Sequence, residues 1–386
     1  MTRKTPAITP GDHAGTPAPD PSRTHDPAVI VTCLKRRHSG VSTTISALLP
    51  IQAGRRAIGY VGPDLPGVEQ ARAMAPDAFR RLTLAEAIRI SLRPLADGRP
   101  RIWHVRRDVE MMLGLVLRDV LRRPIRLVFT SSAIRKHSPA LNWLIGRMDR
   151  IVATSPAAAR FFPGADIIGH GVDVEHFRPA RQQGGLAGDA PPTGPRMIGI
   201  FGRVREEKGI HIFVRALLPL MPRFPDVTAV IGGLCQSDDA PYAEGLKREI
   251  RMAGLEDRFV WVGEIPPGDM PDWYRRVAIT VCCPLYEGYG LTAIEAMASG
   301  CAVVATRTGA FASMVEEGRT GYIIPKDDHP ALSGALDKLL ADPALCAQMG
   351  RSGRERACAL FSIDAEADGL ERVYESVWRG QDAART

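Results

Sequence analysis

No run of about 18 consecutive apolar residues occurs anywhere in this chain, so no part of it is expected to cross a membrane as a helix. The seven cysteines, Cys33, Cys235, Cys282, Cys283, Cys301, Cys346 and Cys358, contain no C-x-x-C pair. That excludes a zinc ribbon or a thioredoxin-type redox site. Their number is odd and no apolar segment opens the chain, which suits reduced thiols, mostly in the core, of a cytosolic protein. The G-x-G-x-x-G fingerprint, the Walker loop and H-E-x-x-H are all missing, so a dehydrogenase, a P-loop kinase or a zinc protease lacks its basic parts. Aromatic residues amount to only 6%, and no zinc-finger spacing is present. Both facts argue against a nucleic-acid-binding protein, the reading that charge alone would suggest.

What is present begins with length. A chain of 386 residues exceeds what one hydrophobic core supports, so two domains are expected. Short apolar runs alternate with amphipathic helical runs in both halves, the pattern of doubly wound parallel α/β sheets. Strands are expected at residues 28–35, 57–61, 101–105, 125–130, 151–154 and 166–169 in the first half. In the second half they are expected at 197–201, 227–232, 259–263, 278–283, 302–306 and 322–324. Helices are expected over 108–123, with Val109, Met112, Leu115, Val116 and Val120 on one face, and over 210–221 and 242–253. A further helix over 366–379 sets Leu370, Val373, Tyr374 and Val377 on one side.

Residues 1–27 hold six prolines and read as a disordered leader. Residues 28–180 form the first domain, the Gly- and Pro-rich segment 181–195 a linker, and 196–365 the second domain. Charge is divided unequally between them. Residues 28–180 hold 24 Lys and Arg against 12 Asp and Glu, and residues 181–386 hold 23 against 28. The basic half is therefore expected to face something anionic, such as lipid headgroups or an acidic glycan.

The densest chemistry lies in Glu287-Gly-Tyr-Gly-Leu-Thr-Ala-Ile-Glu295. Two carboxylates flank a Gly-rich loop that opens a helix, where bare backbone N–H groups attract anions. The layout suits a nucleotide-sugar diphosphate: amides for the phosphates, Glu295 for ribose hydroxyls, Glu287 for sugar hydroxyls. A glycosidase needs its carboxylates on opposite sides of one bond, whereas these two share one loop–helix unit. Arg203 and Lys208 follow another strand and are suited to the negative charge that grows on a departing diphosphate. No D-x-D triplet is present to hold a divalent ion, so no metal site and no cofactor is expected.

These segments resemble glycosyltransferase family 4, the retaining enzymes of the GT-B fold. The E-x(7)-E pair carries the likeness together with Ile198-Gly-Ile-Phe-Gly-Arg203 through Lys208-Gly, His170-Gly-Val-Asp173 through Pro179, and Gly309 through Pro325. The resemblance spans roughly residues 28–378. It implies donor binding by Gly40, Gly202, Arg203, Lys208, Glu287, Gly288, Tyr289, Gly290, Leu291 and Glu295, with Arg203, Lys208 and Glu287 carrying catalysis. It also implies that residues 366–386 pack back on the first domain. In the first half, Lys35 through Thr44, Trp103-His-Val-Arg-Arg107 and Leu127 through Ser132 look like bacterial lipopolysaccharide core mannosyltransferases. That likeness implies a GDP-mannose donor and a Kdo-bearing inner-core or lipid A precursor acceptor (Kdo is an acidic octulosonate sugar). It also implies a location on the cytosolic face of the inner membrane.

Acceptor contacts are expected from Lys35, Arg36, Arg37, His104, Arg106, Arg107, Thr130, Ser131, Arg135 and Lys136, all of which follow or end strand segments. A histidine common in the family near residues 129–131 is absent here, and Thr130 or Ser131 stands in its place. A family 4 transferase using UDP-glucose or another sugar nucleotide on a different acceptor fits the same motifs.

Overall fold

The structure, a computed structural model, describes residues 26–34, 40–182, 185–186 and 196–380. Lys35, Arg36 and Arg37 lie outside the described residues, as do most of the leader and most of the linker. Seven strands form the first sheet: β1 (Val29–Thr32), β2 (Ile58–Val61), β3 (Phe79–Arg81), β4 (Arg101–Val105), β5 (Ile125–Ser131), β6 (Arg150–Ala153) and β7 (Asp166–Ile167). Their order is β3-β2-β1-β4-β5-β6-β7, with every pair parallel. The strand β3 had no clear apolar signal, since only Phe79 of its three residues is buried.

A short antiparallel pair, β8 (Arg181–Gln182) and β9 (Gly185–Leu186), comes next. The second sheet follows: β10 (Arg196–Phe201), β11 (Val227–Gly232), β12 (Phe259–Gly263), β13 (Val277–Cys282), β14 (Ala302–Thr306) and β15 (Gly321–Ile324). Its order is β12-β11-β10-β13-β14-β15, again wholly parallel. The molecule is thus two doubly wound parallel α/β units. Alternate residues feed opposite faces of each sheet, as the two-residue strand period requires. Val29 and Val31 enter one core of the first sheet while Ile30 enters the other.

One expectation is overturned. The helix begins at Asp108 but runs only to Leu115, then loosens into a π-helical turn over Val116–Val120. Of the five residues expected on its buried face, only Leu115 is buried; Val109, Met112, Val116 and Val120 are 55%, 47%, 47% and 71% exposed. Met111, Gly114, Leu115 and Leu117 pack inward instead. The segment is apolar on nearly all sides, so periodicity did not choose a face. Gly114 chose it: a Cβ there would lie 2.5 Å from Leu127 of β5, so this side must be the one against the sheet.

The final helix, Ile363–Trp378, belongs to the first unit although the chain reaches it last. Ile363, Ala367, Leu370, Val373, Tyr374 and Val377 share a core with Val29, Val31, Leu48 and Tyr60. A polar chain fixes its depth. Gln52 donates to the Tyr374 hydroxyl at 3.1 Å, and that hydroxyl lies 2.7 Å from His104 Nδ1. Two chain crossings link the units, and they are bonded to each other: Val172 N–H donates to Phe361 O and Ile363 N–H to Val172 O, both at 2.9 Å.

Candidate active site

In each sheet the strand order reverses once, between β1 and β4 in the first and between β10 and β13 in the second. Ligands of open parallel sheets bind outside the strand carboxyl ends at such a reversal. The loop after β10 carries Gly202, Arg203 and Lys208, and the loop after β13 carries Glu287 through Gly290. Arg106 and Arg107 follow β4 in the same way.

The two loops of the second unit are zipped together by backbone contacts. Residues Glu206–Lys208 make a 3-10 turn closed by Gly209 in the left-handed conformation, φ 75°. A side chain on Gly209 would strike Cys283 O at 1.9 Å, so only glycine fits. Cys283 Sγ contacts Gly209 O at 3.2 Å, and Leu285 N–H donates to Glu207 O at 2.8 Å. This register brings Lys208 Nζ to 2.7 Å from Glu287 Oε2. The other carboxylate oxygen accepts from Gly288 N–H at 3.0 Å. Two residues expected to act on the donor are therefore each other's counter-ions here. Arg203 is exposed and makes no ion pair among the described residues.

Gly290 caps the helix Leu291–Ala298 with φ 104°, and a Cβ there would meet the Phe311 ring at 2.1 Å. The ring thus holds the loop down where the helix starts. One turn in, Glu295 accepts from the Tyr274 hydroxyl at 3.0 Å. Burial pushes the Glu295 carboxyl up to about 7, and the Tyr274 hydrogen bond only partly offsets it. Tyr274, itself fully buried, was not visible from the sequence as a partner.

The Tyr289 side chain departs from expectation. It is 6% exposed and points away from the loop toward the crossing segment, where its hydroxyl donates to His170 O at 2.8 Å. Its ring stands edge-on to His170 at 5.0 Å. His170 in turn places Nδ1 2.9 Å from Glu366 of the final helix and Nε2 3.2 Å from Ser132. The loop after β13 is thereby joined to the first unit through one histidine.

Among the residues expected to meet the acceptor, His104 needs correction. It is fully buried and both ring nitrogens are occupied, by Tyr374 at Nδ1 and by Thr130 Oγ1 at Nε2, 2.7 Å each. Burial holds its pKa well below the ordinary value, so it is neutral. Gln52 donates to the Tyr374 hydroxyl, which is left to donate to Nδ1; Nε2–H then donates to Thr130. Buried Thr130 is occupied the same way, and this pair supports the final helix rather than an acceptor.

Arg106 is also largely buried, whereas Arg107 and Ser131 are partly open and Arg135 and Lys136 exposed. Gly40 is the exposed first residue of the helix Gly40–Arg55, with nothing within 4 Å of an added Cβ. Sequence reasoning missed Glu110. This buried carboxylate accepts from Thr32 Oγ1, Leu34 N–H and Arg106 N–H, at 3.1, 2.9 and 2.7 Å, and so pins the ends of β1 and β4. Its distance in sequence from Thr32 and Leu34, 78 and 76 residues away, hid it.

Similarity to known proteins agrees with this geometry. HepE of Anabaena, solved with UDP, superposes with a TM-score of 0.73 at 18% identity, over 90% of this chain and 99% of that one. A two-sheet fold of this kind with facing loops at its strand reversals is the GT-B architecture. Residues 187–356 match the family "Glycosyl transferases group 1". The lipopolysaccharide core biosynthesis mannosyltransferase LpcC of Rhizobium leguminosarum bv. viciae is 38% identical over 356 residues, 91% of this chain and 97% of that protein. LpsB of Rhizobium meliloti, of the same description, is 38% identical over 365 residues, 92% and 99% of the two chains. The chain is a glycosyltransferase and belongs to the group 1 enzymes, glycosyltransferase family 4.

Proposed function

We propose that the protein moves mannose from GDP-mannose, with retention, onto the Kdo-containing inner core of lipopolysaccharide at the cytosolic face of the inner membrane. The observation that carries this reading is the 38% identity to two lipopolysaccharide core mannosyltransferases along almost their whole length, first unit included.

In this reading Glu295 receives the ribose hydroxyls and Glu287 those of the mannose. The start of the helix Leu291–Ala298 offers its N–H groups to the diphosphate. Lys208, held by Glu287 in the free protein, and Arg203 supply positive charge as the diphosphate departs. The acceptor oxygen bonds to the anomeric carbon on the face from which the phosphate oxygen leaves. Its proton passes to that phosphate, so GDP and the new glycoside account for every atom. No step needs a metal or a cofactor.

The membrane part of the proposal rests on the helix that turned its apolar side outward. Val109, Met112, Val116 and Val120 are exposed, and so is Trp143 of the neighbouring helix Pro139–Ile145. Around them stand Arg107, Arg118, Arg122, Arg123, Arg126 and Arg147 against Asp108, Asp119 and Asp149. Exposed aliphatic side chains framed by excess arginine suit the interface of an anionic bilayer. Among the described residues no helix is long and apolar enough to cross a membrane.

The test is to incubate the purified protein with Kdo-lipid A precursor and each of a panel of sugar nucleotides, then weigh the product. A hexose added only from GDP-mannose is expected. Transfer from UDP-glucose instead would replace the donor assignment, and no transfer to the Kdo acceptor would end the acceptor assignment.

A further inference from the structure

A cavity of about 550 Å³ opens between the two units beside Glu287, within the range of small-ligand clefts, about 300–1,000 Å³. Three cations line it: Arg160, just after the short helix Pro156–Ala159 of the first unit, Arg307 directly after β14, and Lys326 just beyond β15. None of the three makes an ion pair among the described residues, whereas many other arginines do, Arg56, Arg118 and Arg196 among them. The single carboxylate on the wall, Glu287, is already neutralised by Lys208.

The two cations of the second unit stand on a braced edge. Arg307 N–H donates to Ile324 O at 2.9 Å, and Thr306 Oγ1 donates to Pro284 O at 3.1 Å. Asp327, next to Lys326, takes a left-handed turn, φ 57°, and lies 3.6 Å from His211. Convergent like charges without partners are held at an electrostatic cost that an anionic ligand relieves. Tyr286 on the same wall is 61% exposed and offers its ring to an apolar sugar face.

We propose that this cavity is the acceptor subsite, and that Arg160, Arg307 and Lys326 bind the carboxylate of an acidic sugar there. The inference rests on the acceptor reading above and deepens it. Two fixed edges meeting a third cation across the cleft give a carboxylate a guanidinium fork from either unit, with the sugar next to the residue assigned to the donor hexose. The donor's diphosphate is the other anion that such cations would attract, and the experiment separates the two.

The full-length protein and the variants Arg160→Gln, Arg307→Gln and Lys326→Gln, single and combined, are compared in two measurements. The first is equilibrium binding of free Kdo, glucuronate and a carboxyl-reduced Kdo, followed by ligand NMR without any donor. The wild type is expected to bind an acidic sugar and not the reduced one, and each single variant to weaken it about tenfold, the scale of one charged contact. The second is the dissociation constant of GDP-mannose, expected to stay within about twofold.

Equal acid-sugar binding by wild type and triple variant, or none by the wild type, overturns the proposal. So does a donor constant that rises as much as the acid-sugar constant, which would hand the cations to the diphosphate. If glucuronate binds through these residues while no transfer to a Kdo acceptor occurs, the cavity assignment stands and the lipopolysaccharide reading falls.

Discussion

Glu295 sits where burial opposes its ionisation, yet the hydroxyls assigned to it bind the ionised form best. Its carboxyl is raised to about 7 in the free protein, so near neutrality half of the molecules hold a proton there. Donor hydroxyls donate to the charged form, so donor affinity is complete well above pH 7 and is lost as pH falls through it. Between pH 8 and pH 6 the donor dissociation constant should rise about tenfold, as measured by titration calorimetry. Glu295→Gln should bind weakly with a flat profile; an equally steep profile in that variant would assign the proton elsewhere.

Lys208 and Arg203 belong to the same scale. Replacement of either by Ala should lower turnover more than donor binding, because their charge is needed most as the diphosphate leaves. Activity should persist in EDTA; loss with rescue by manganese would refute the metal-free chemistry. Both glutamates, Arg203 and Lys208 were legible from motif spacing. The Lys208–Glu287 pairing was not, because it depends on the meeting of Gly209 and Cys283 across 74 residues.

Among the elements, legibility followed the clarity of the pattern. Central strands such as β10, β11 and β14 are continuous apolar runs and fell where expected. The helix from Asp108 was visible but its buried face was not, since an all-round apolar segment carries no preferred side. The final helix was readable because its apolar residues fall on one stripe. What the stripe did not reveal is the polar chain Gln52–Tyr374–His104–Thr130 beneath it. Tyr374→Phe leaves Gln52 Nε2 and His104 Nδ1 without their shared partner in the core and should destabilise the first unit by about 1–3 kcal/mol, read from denaturant unfolding. Unchanged unfolding would mean that these groups find other partners.

For the whole molecule, the residue counts give the first half twice as many basic as acidic side chains, and the outward-facing aliphatic residues give that charge a place to act. Vesicle binding should require anionic lipid and weaken as salt rises, since the attraction is screened within about 8–10 Å. Val116→Asp together with Val120→Asp should reduce vesicle binding at least about tenfold. Turnover on a short, water-soluble acceptor should stay unchanged. Vesicle binding at the wild-type level would make the exposed stripe irrelevant to membranes.

The return of the last helix to the first unit has a consequence for how the protein is made. Domains usually complete themselves in the order in which they leave the ribosome, at about 5–20 residues per second. Here the first unit waits, with one face of its seven-stranded sheet only partly covered, until Ile363–Trp378 emerges. The second unit holds its own cores by then. Synthesis order and completion order are therefore inverted, and the early half is the one that needs protection while translation proceeds. A chain stopped at residue 361 should show the second unit protease-resistant and the first degraded. Addition of the missing segment as a separate peptide should restore resistance to the first; a protected first unit without it would deny the helix this role.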